Sequence, residues 1–204
     1  MLALPPMKLV LASQSPRRRE LLTTAGFTFT VRVCSVEEVR APGEDPESYA
    51  RRLAREKAEA AWLAGPQTDD EVVLGADTIV VLGDIALEKD VVLEKPDGAE
   101  GARSMLELLS GREHRVTTGV CLRYAGGTGI ASESTLVRFA ELSAEEIAEY
   151  VASGEPMDKA GAYAIQGLAS KFVERIEGCF FNVVGLPVPR VYRMLKEILP
   201  WPNR

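Results

Sequence analysis

Apolar residues along this chain alternate between short unbroken runs and stripes spaced by three and four. Leu9 to Ala12 is the first run and reads as a strand. Ser15 suits a helix N-cap, Pro16 the first helical position and Gly26 a stop, so a helix follows at once. Phe27 to Val33 alternates like a strand. Asp45-Pro46 repeats the cap-and-proline start and predicts a helix from about Glu47 to Leu63. Tyr49, Leu53, Ala60 and Leu63 give it a patchy apolar stripe, and Lys57, four residues after Leu53, reads as solvated.

Val72 to Leu82 is the longest β-rich run and predicts a central strand covered on both faces. Asp90 to Leu93 is a further strand, followed by a helix from about Gly98 to Leu109 that stops at Gly111. His114–Tyr124 and Ile130–Phe139 read as a hairpin around the glycine-rich turn 125–129. Ser143 and Glu146 form a capping box for a helix to about Ala152, with a stop near Gly154. Lys171 to Ile176 is a short strand and Val188 to Ile198 a last helix. Strands alternating with helices, interrupted by one hairpin, predict an α/β fold with a mixed sheet flanked by helices. At 204 residues the chain is one domain with room for two lobes.

The net charge of −6 argues against broad nucleic-acid binding. Arg17, Arg18 and Arg19 are therefore a local positive spot on an acidic protein, which suits a small anion. They also open a helix, where the dipole favours acids by roughly 0.3–1 kcal/mol per charge. Two readings stand: a solvated basic turn, or an anion site in which arginine forks supplement free helical N–H groups. Cys34, Cys121 and Cys179 have neither metal spacing nor a disulfide framework, which points to buried thiols in a reducing cytosol. No apolar run has transmembrane length, and residues 1–6 lack the form of a signal peptide. His114 is the only histidine, so multi-histidine metal sites are excluded and carboxylates, lysines and arginines are left to do any chemistry.

Three segments break their local pattern. Asp77 and Thr78 interrupt the most apolar strand, which resumes directly after them. A carboxylate there is costly unless paired or hydrogen-bonded, and such breaks often mark function. Lys95-Pro96 holds a lysine at a strand exit; a solvated lysine is the commoner reading, and Leu-Glu-Lys occurs twice, ending at Lys89 and at Lys95. Met157 to Gly167 is rich in small residues and places Gln166, an amide able to read a base edge, between apolar neighbours. A tightly packed helix terminus explains that segment equally well.

The ordered blocks Leu11–Arg18, Leu53–Ala58, Gly75–Thr78, Glu94–Pro96, Leu109–His114, Thr118–Val120, Asp158–Gly167 and Phe181–Pro187 together resemble the Maf family of nucleoside triphosphate pyrophosphatases, the septum-formation proteins. The resemblance implies two lobes around a cleft, a fold similar to that of inosine triphosphate pyrophosphatases, and one Maf-like domain over residues 1–204. It implies a divalent metal, magnesium or manganese, and a cytoplasmic homodimer that binds a nucleoside triphosphate but neither nucleic acid nor membrane. By position, Ser13, Arg17, Arg18, Lys57 and Lys95 are the implied phosphate contacts, and Asp77 the catalytic carboxylate. Glu38 and Asp77 are the implied metal ligands, and His114 is read as structural. Gly-Ala-Asp-Thr and Ile-Gln-Gly look like the dTTP/UTP branch, which makes Thr78 and Gln166 readers of the pyrimidine. A 7-methylguanosine triphosphate pyrophosphatase and a non-catalytic nucleotide-binding regulator of cell division are the alternatives. The segment from Thr78 to Lys95 is longer than the usual family hairpin; Pro96 and the helix after it favour Lys95 over Lys89 as the site lysine.

Overall fold

The capping signals act as their chemistry dictates. In the computed structural model, which describes residues 7–84 and 89–198, the Arg18 N–H donates to Ser15 Oγ over 3.4 Å and the Ser48 N–H to Asp45 Oδ1 over 2.9 Å. Ser143 and Glu146 make both bonds of the capping box. Residues 1–6, Leu87, Glu88 and the side chain of Lys89 lie outside the described part, and with them the first Leu-Glu-Lys copy.

In chain order the elements are β1 (Lys8–Leu11), α1 (Pro16–Thr24), β2 (Phe29–Val31), α2 (Pro46–Leu63), β3 (Glu71–Asp84), β4 (Lys89–Leu93) and α3 (Gly98–Leu109). There follow β5 (Glu113–Tyr124), β6 (Gly127–Phe139), α4 (Ala144–Ala152), β7 (Val173–Glu177), α5 (Phe180–Val184) and α6 (Val188–Ile198). Three short 3-10 turns lie between α4 and β7. The sheet has seven strands in the order β2-β1-β3-β5-β6-β7, with β4 also paired to β3. β1 runs parallel to β2 and β3, whereas β4 and β7 pair antiparallel, so the sheet is mixed as expected.

Local departures have physical causes. β2 is three residues rather than the seven-residue run, because among the described residues it is an edge strand paired to β1 alone. β6 starts at Gly127, not Ile130; its glycines break the apolar alternation without breaking the ladder. Lys171 and Phe172 end a 3-10 turn, so β7 begins at Val173, two residues later than predicted.

The chain divides into two compact units, and β3, β5 and β6 pass from one into the other. The first holds β1, β2, α1, α2, β3 up to Asp77, β5 from Thr118, β6 up to Glu133, and α6. Its core sets α2 on the sheet through Ala54, Ala58, Ala61 and Trp62 against Val10, Val73 and Cys121. Tyr49 and Leu53 of the predicted stripe are buried, Ala60 is half-buried and Leu63 is 62% exposed, so the buried face is wider and centred towards Ala54, Ala58 and Ala61. Two glycines permit the close approach: a Cβ on Gly75 would lie 2.1 Å from the Ala54 carbonyl oxygen, and one on Gly119 2.2 Å from that of Ala50. Gly75 and Asp77 share a face of β3, so this contact brings α2 over the strand where Asp77 sits.

The second unit packs α3 and α4 with an aromatic cluster. His114 and Tyr163 meet Phe139 edge to face at 5.0 and 4.8 Å between ring centroids. His114 Nε2 shares a 2.9 Å hydrogen bond with the Tyr163 hydroxyl, and its Nδ1 has no partner among the described residues. Burial pushes this imidazole down to about 4. An unfolded histidine titrates near 6.5, so below that pH the unfolded chain takes up a proton that the fold refuses. His114 should therefore contribute stability in full above pH 6.5 and lose it as pH falls towards 4, by about 3 kcal/mol. Urea midpoints measured across that range, for wild type and His114→Phe, check this: the difference between the two should shrink or reverse as the pH falls. A constant difference would assign the acid sensitivity to other groups.

Candidate active site

β3 changes partner at the residues that interrupt its apolar run. Its ladder with β1 ends at Leu74 and its ladder with β4 begins at Val80, so Asp77 and Thr78 lie between the two.

The loop from β1 to α1 places Ser13 and the arginines. Ser13 Oγ accepts the Ser15 N–H over 3.2 Å and Arg18 Nη1 over 3.1 Å. Arg18 is buried; its Nη1 also donates to the Ala76 carbonyl over 2.9 Å, and its Nε to the Gly185 carbonyl over 2.8 Å. Burial lowers the pKa of this guanidinium, and the charge of Asp77 opposes the shift. Arg17 is half-buried and Arg19 exposed, so three consecutive arginines occupy three environments. Arg18 is turned into the protein as a fork between three backbone and side-chain acceptors, a geometry that lysine cannot copy.

Lys57 is not solvated. Its Nζ lies 2.6 Å from Asp77 Oδ1 and 2.5 Å from Glu38 Oε1, and its side chain is only 15% exposed. Asp77 is more buried still at 10%, whereas Glu38 stands 43% exposed on the long loop between β2 and α2. One ammonium thus gathers two carboxylates from separate segments.

Two residues that the apolar pattern does not mark hold that loop. Arg52 on α2 donates Nε and Nη2 to the two oxygens of Glu44, at 2.7 and 2.9 Å, and Nη2 to the Val39 carbonyl at 2.9 Å. The Arg52 fork holds the Glu44 carboxyl below the usual range. Val39 is next to Glu38, so the loop is tied down one residue from the carboxylate that reaches Lys57. Nothing in spacing singles out Arg52 and Glu44, which look like ordinary surface charges.

The second unit carries the remaining candidates. Thr78 is half-buried on β3, directly after Asp77. Lys95 is exposed at the bend after β4, followed by buried Pro96, and the Glu94 carbonyl accepts the Gly161 N–H over 3.1 Å. Gln166 is exposed in the tight turn closed by the Gly167 N–H donating to the Ala164 carbonyl over 3.0 Å. No cluster of three or more His, Cys, Asp or Glu that could hold a metal ion occurs among the described residues.

The family model described as Maf-like protein matches residues 8–198. The chain belongs to the Maf-like family. A relative from Koribacter versatilis, named dTTP/UTP pyrophosphatase, is 53% identical over 191 residues, covering 94% of each chain. One of the same name from Anaeromyxobacter sp. (strain Fw109-5) is 50% identical over 202 residues, covering 95% of this chain and 92% of that one. Among solved structures, the Ham1 protein of Staphylococcus aureus has a TM-score of 0.52 at 15% identity, covering 93% of this chain and 98% of that one. That likeness concerns the fold alone, and it agrees with the mixed sheet flanked by helices. In this Maf-like chain no helix among the described residues is long and apolar enough to cross a membrane.

The arrangement has a definite chemical capacity. A buried carboxylate on a strand, next to an ammonium and a guanidinium, can take a proton from water while cations offset charge on a phosphate. The lone histidine is occupied in the aromatic core of the second unit and supplies no part of this cluster.

Proposed function

We propose that this chain is a nucleoside triphosphate pyrophosphatase that hydrolyses dTTP and UTP to the monophosphate and pyrophosphate. The observation that carries this reading is the Asp77–Lys57–Glu38 cluster next to buried Arg18. The names of the relatives support the choice of substrate.

Asp77 accepts the proton of the water that attacks the α-phosphorus in line. Lys57 holds Asp77 and Glu38 in register through its two short contacts. Arg17, Lys57, Lys95 and Ser13 bind the phosphate oxygens, where positive charge offsets what builds on the leaving pyrophosphate. Arg18 contributes its charge from behind while fixing Ser13 and Ala76. Thr78 and Gln166 hydrogen-bond the pyrimidine, and such a pocket rejects bases that leave its polar groups unmatched.

Glu38 and Asp77 would hold a hard divalent cation, magnesium or manganese: both are carboxylates, here drawn together on the Lys57 ammonium, and such ions take their other positions from water and phosphate. When bound, the cation would neutralise phosphate charge and make the nearby water more acidic. The three cysteines are free thiols, which supports a reducing, cytoplasmic setting. A homodimer is the assembly that the family resemblance implies.

A nucleotide panel tests the reading. With magnesium or manganese, dTTP and UTP should give monophosphate and pyrophosphate in equal amounts, and chelation should stop the reaction. Release of orthophosphate instead, or no turnover of any pyrimidine triphosphate, would overturn it.

A further inference from the structure

We propose that Tyr150 and Glu155 are positioning residues for base selection, acting through the Ala164–Leu168 turn that carries Gln166. The proposal rests on the reading of Gln166 as a base contact given above.

The two residues form a staple across the foot of that turn. Tyr150, on α4 and buried, accepts the Ala164 N–H at its hydroxyl over 3.2 Å. The same hydroxyl donates to Glu155 Oε1 over 2.8 Å. Glu155 Oε2 accepts the Leu168 N–H over 3.0 Å. Both ends of the turn are thus tied to one hydrogen-bonded unit, and Gln166 stands exposed between them, beside buried Ile165.

The staple is itself held on every side. The Tyr150 ring meets Phe172 edge to face at 5.4 Å. Burial and the Glu155 bond raise the Tyr150 phenol well above its usual range, so it stays a donor at neutral pH. The Glu155 N–H donates to Ser153 Oγ over 3.2 Å, and its carbonyl accepts Lys159 Nζ over 2.7 Å. The carboxylate lies close against the turn: a Cβ on Gly167 would lie 2.2 Å from Glu155 Oε2, so the carboxylate could take this position only by shifting if residue 167 carried a side chain.

This geometry serves selection because Gln166 is itself exposed. A side-chain amide discriminates between bases only when its backbone is fixed to a fraction of an ångström. A loose turn would lose that discrimination to the entropy of ordering on each binding event. Bonds to an ionised carboxylate are stronger than neutral ones and suit a clamp at the surface.

The test compares Tyr150→Phe, Glu155→Gln and Gln166→Ala in kcat and KM for dTTP and for dGTP. Each staple variant should lower the dTTP-over-dGTP ratio of kcat/KM by about tenfold, the equivalent of one net hydrogen bond. The loss should come through KM for dTTP, with dGTP within about twofold of wild type, the scale of a neutral surface change. Tyr150→Phe should add nothing to the ratio on a Gln166→Ala background. Equal losses for both nucleotides would make the staple merely structural and overturn the proposal. So would an unchanged ratio in both staple variants while Gln166→Ala collapses it. An unchanged ratio in Gln166→Ala itself would remove the base contact assigned to Gln166, and this inference with it. Glu155→Gln leaves the Tyr150 ring in place, so it reads the staple even if Tyr150→Phe folds poorly.

Discussion

Asp77→Asn should reduce kcat for dTTP at least about a hundredfold, the lower range for loss of a general base, while leaving the fold intact. The amide matches the carboxylate in shape but cannot take a proton from water. Lys57 keeps Glu38 as a partner at 2.5 Å, so the ammonium is not stranded by the change. Circular dichroism and thermal melting should therefore resemble wild type. Asp77 is also a proposed ligand of the divalent cation, so kcat is compared at saturating metal, where loss of the base is read apart from weaker metal binding. A variant that retains activity within about tenfold of wild type would remove Asp77 from the proton step, since a general base contributes more than that.

Arg18→Ala should lose both activity and stability, whereas its neighbours separate the two effects. The buried guanidinium is the donor to the Ala76 and Gly185 carbonyls and to Ser13 Oγ. Removing it leaves buried acceptors without that donor, at roughly 1–3 kcal/mol each. For a chain of this size a loss of about 3 kcal/mol lowers the melting temperature by roughly 10 °C. Arg18→Lys should not rescue it, since one ammonium cannot span the three acceptors. Arg17→Ala should weaken turnover at near wild-type stability, and Arg19→Ala, exposed at the surface, should change neither. Melting temperatures and kcat/KM for the four variants check this. Equal effects from Arg17, Arg18 and Arg19 would replace a built cradle by a diffuse electrostatic patch.

Much of the scaffold was legible because short-range chemistry specifies it. Ser15, Asp45 and the Ser143–Glu146 box start their helices as their side chains require, and the apolar run 72–82 is the central strand. Asp77 was legible for the same reason, as a charge in a place that disfavours charges. Lys57 was misread because periodicity records polarity, not the partner that compensates it; Asp77 is twenty residues away in the chain. The Arg52–Glu44 clamp and the Tyr150–Glu155 staple escaped for a related reason, since each depends on how a loop folds back on a helix. The 3-10 turns after α4 have no period long enough to register, although Gly154 and Gly161 mark two of their corners with positive φ. Only the family blocks suggest roles for Arg17, Lys95 and Gln166, which no spacing marks and which stay part of the proposal.

The phosphorus that water attacks decides which reaction this chain catalyses. Hydrolysis of dTTP in ¹⁸O-labelled water, with the products resolved by mass, reads this directly. Attack at the α-phosphorus, with Asp77 taking the proton, predicts label in the thymidine monophosphate and none in the pyrophosphate. Label in the pyrophosphate, or in free orthophosphate, would contradict it.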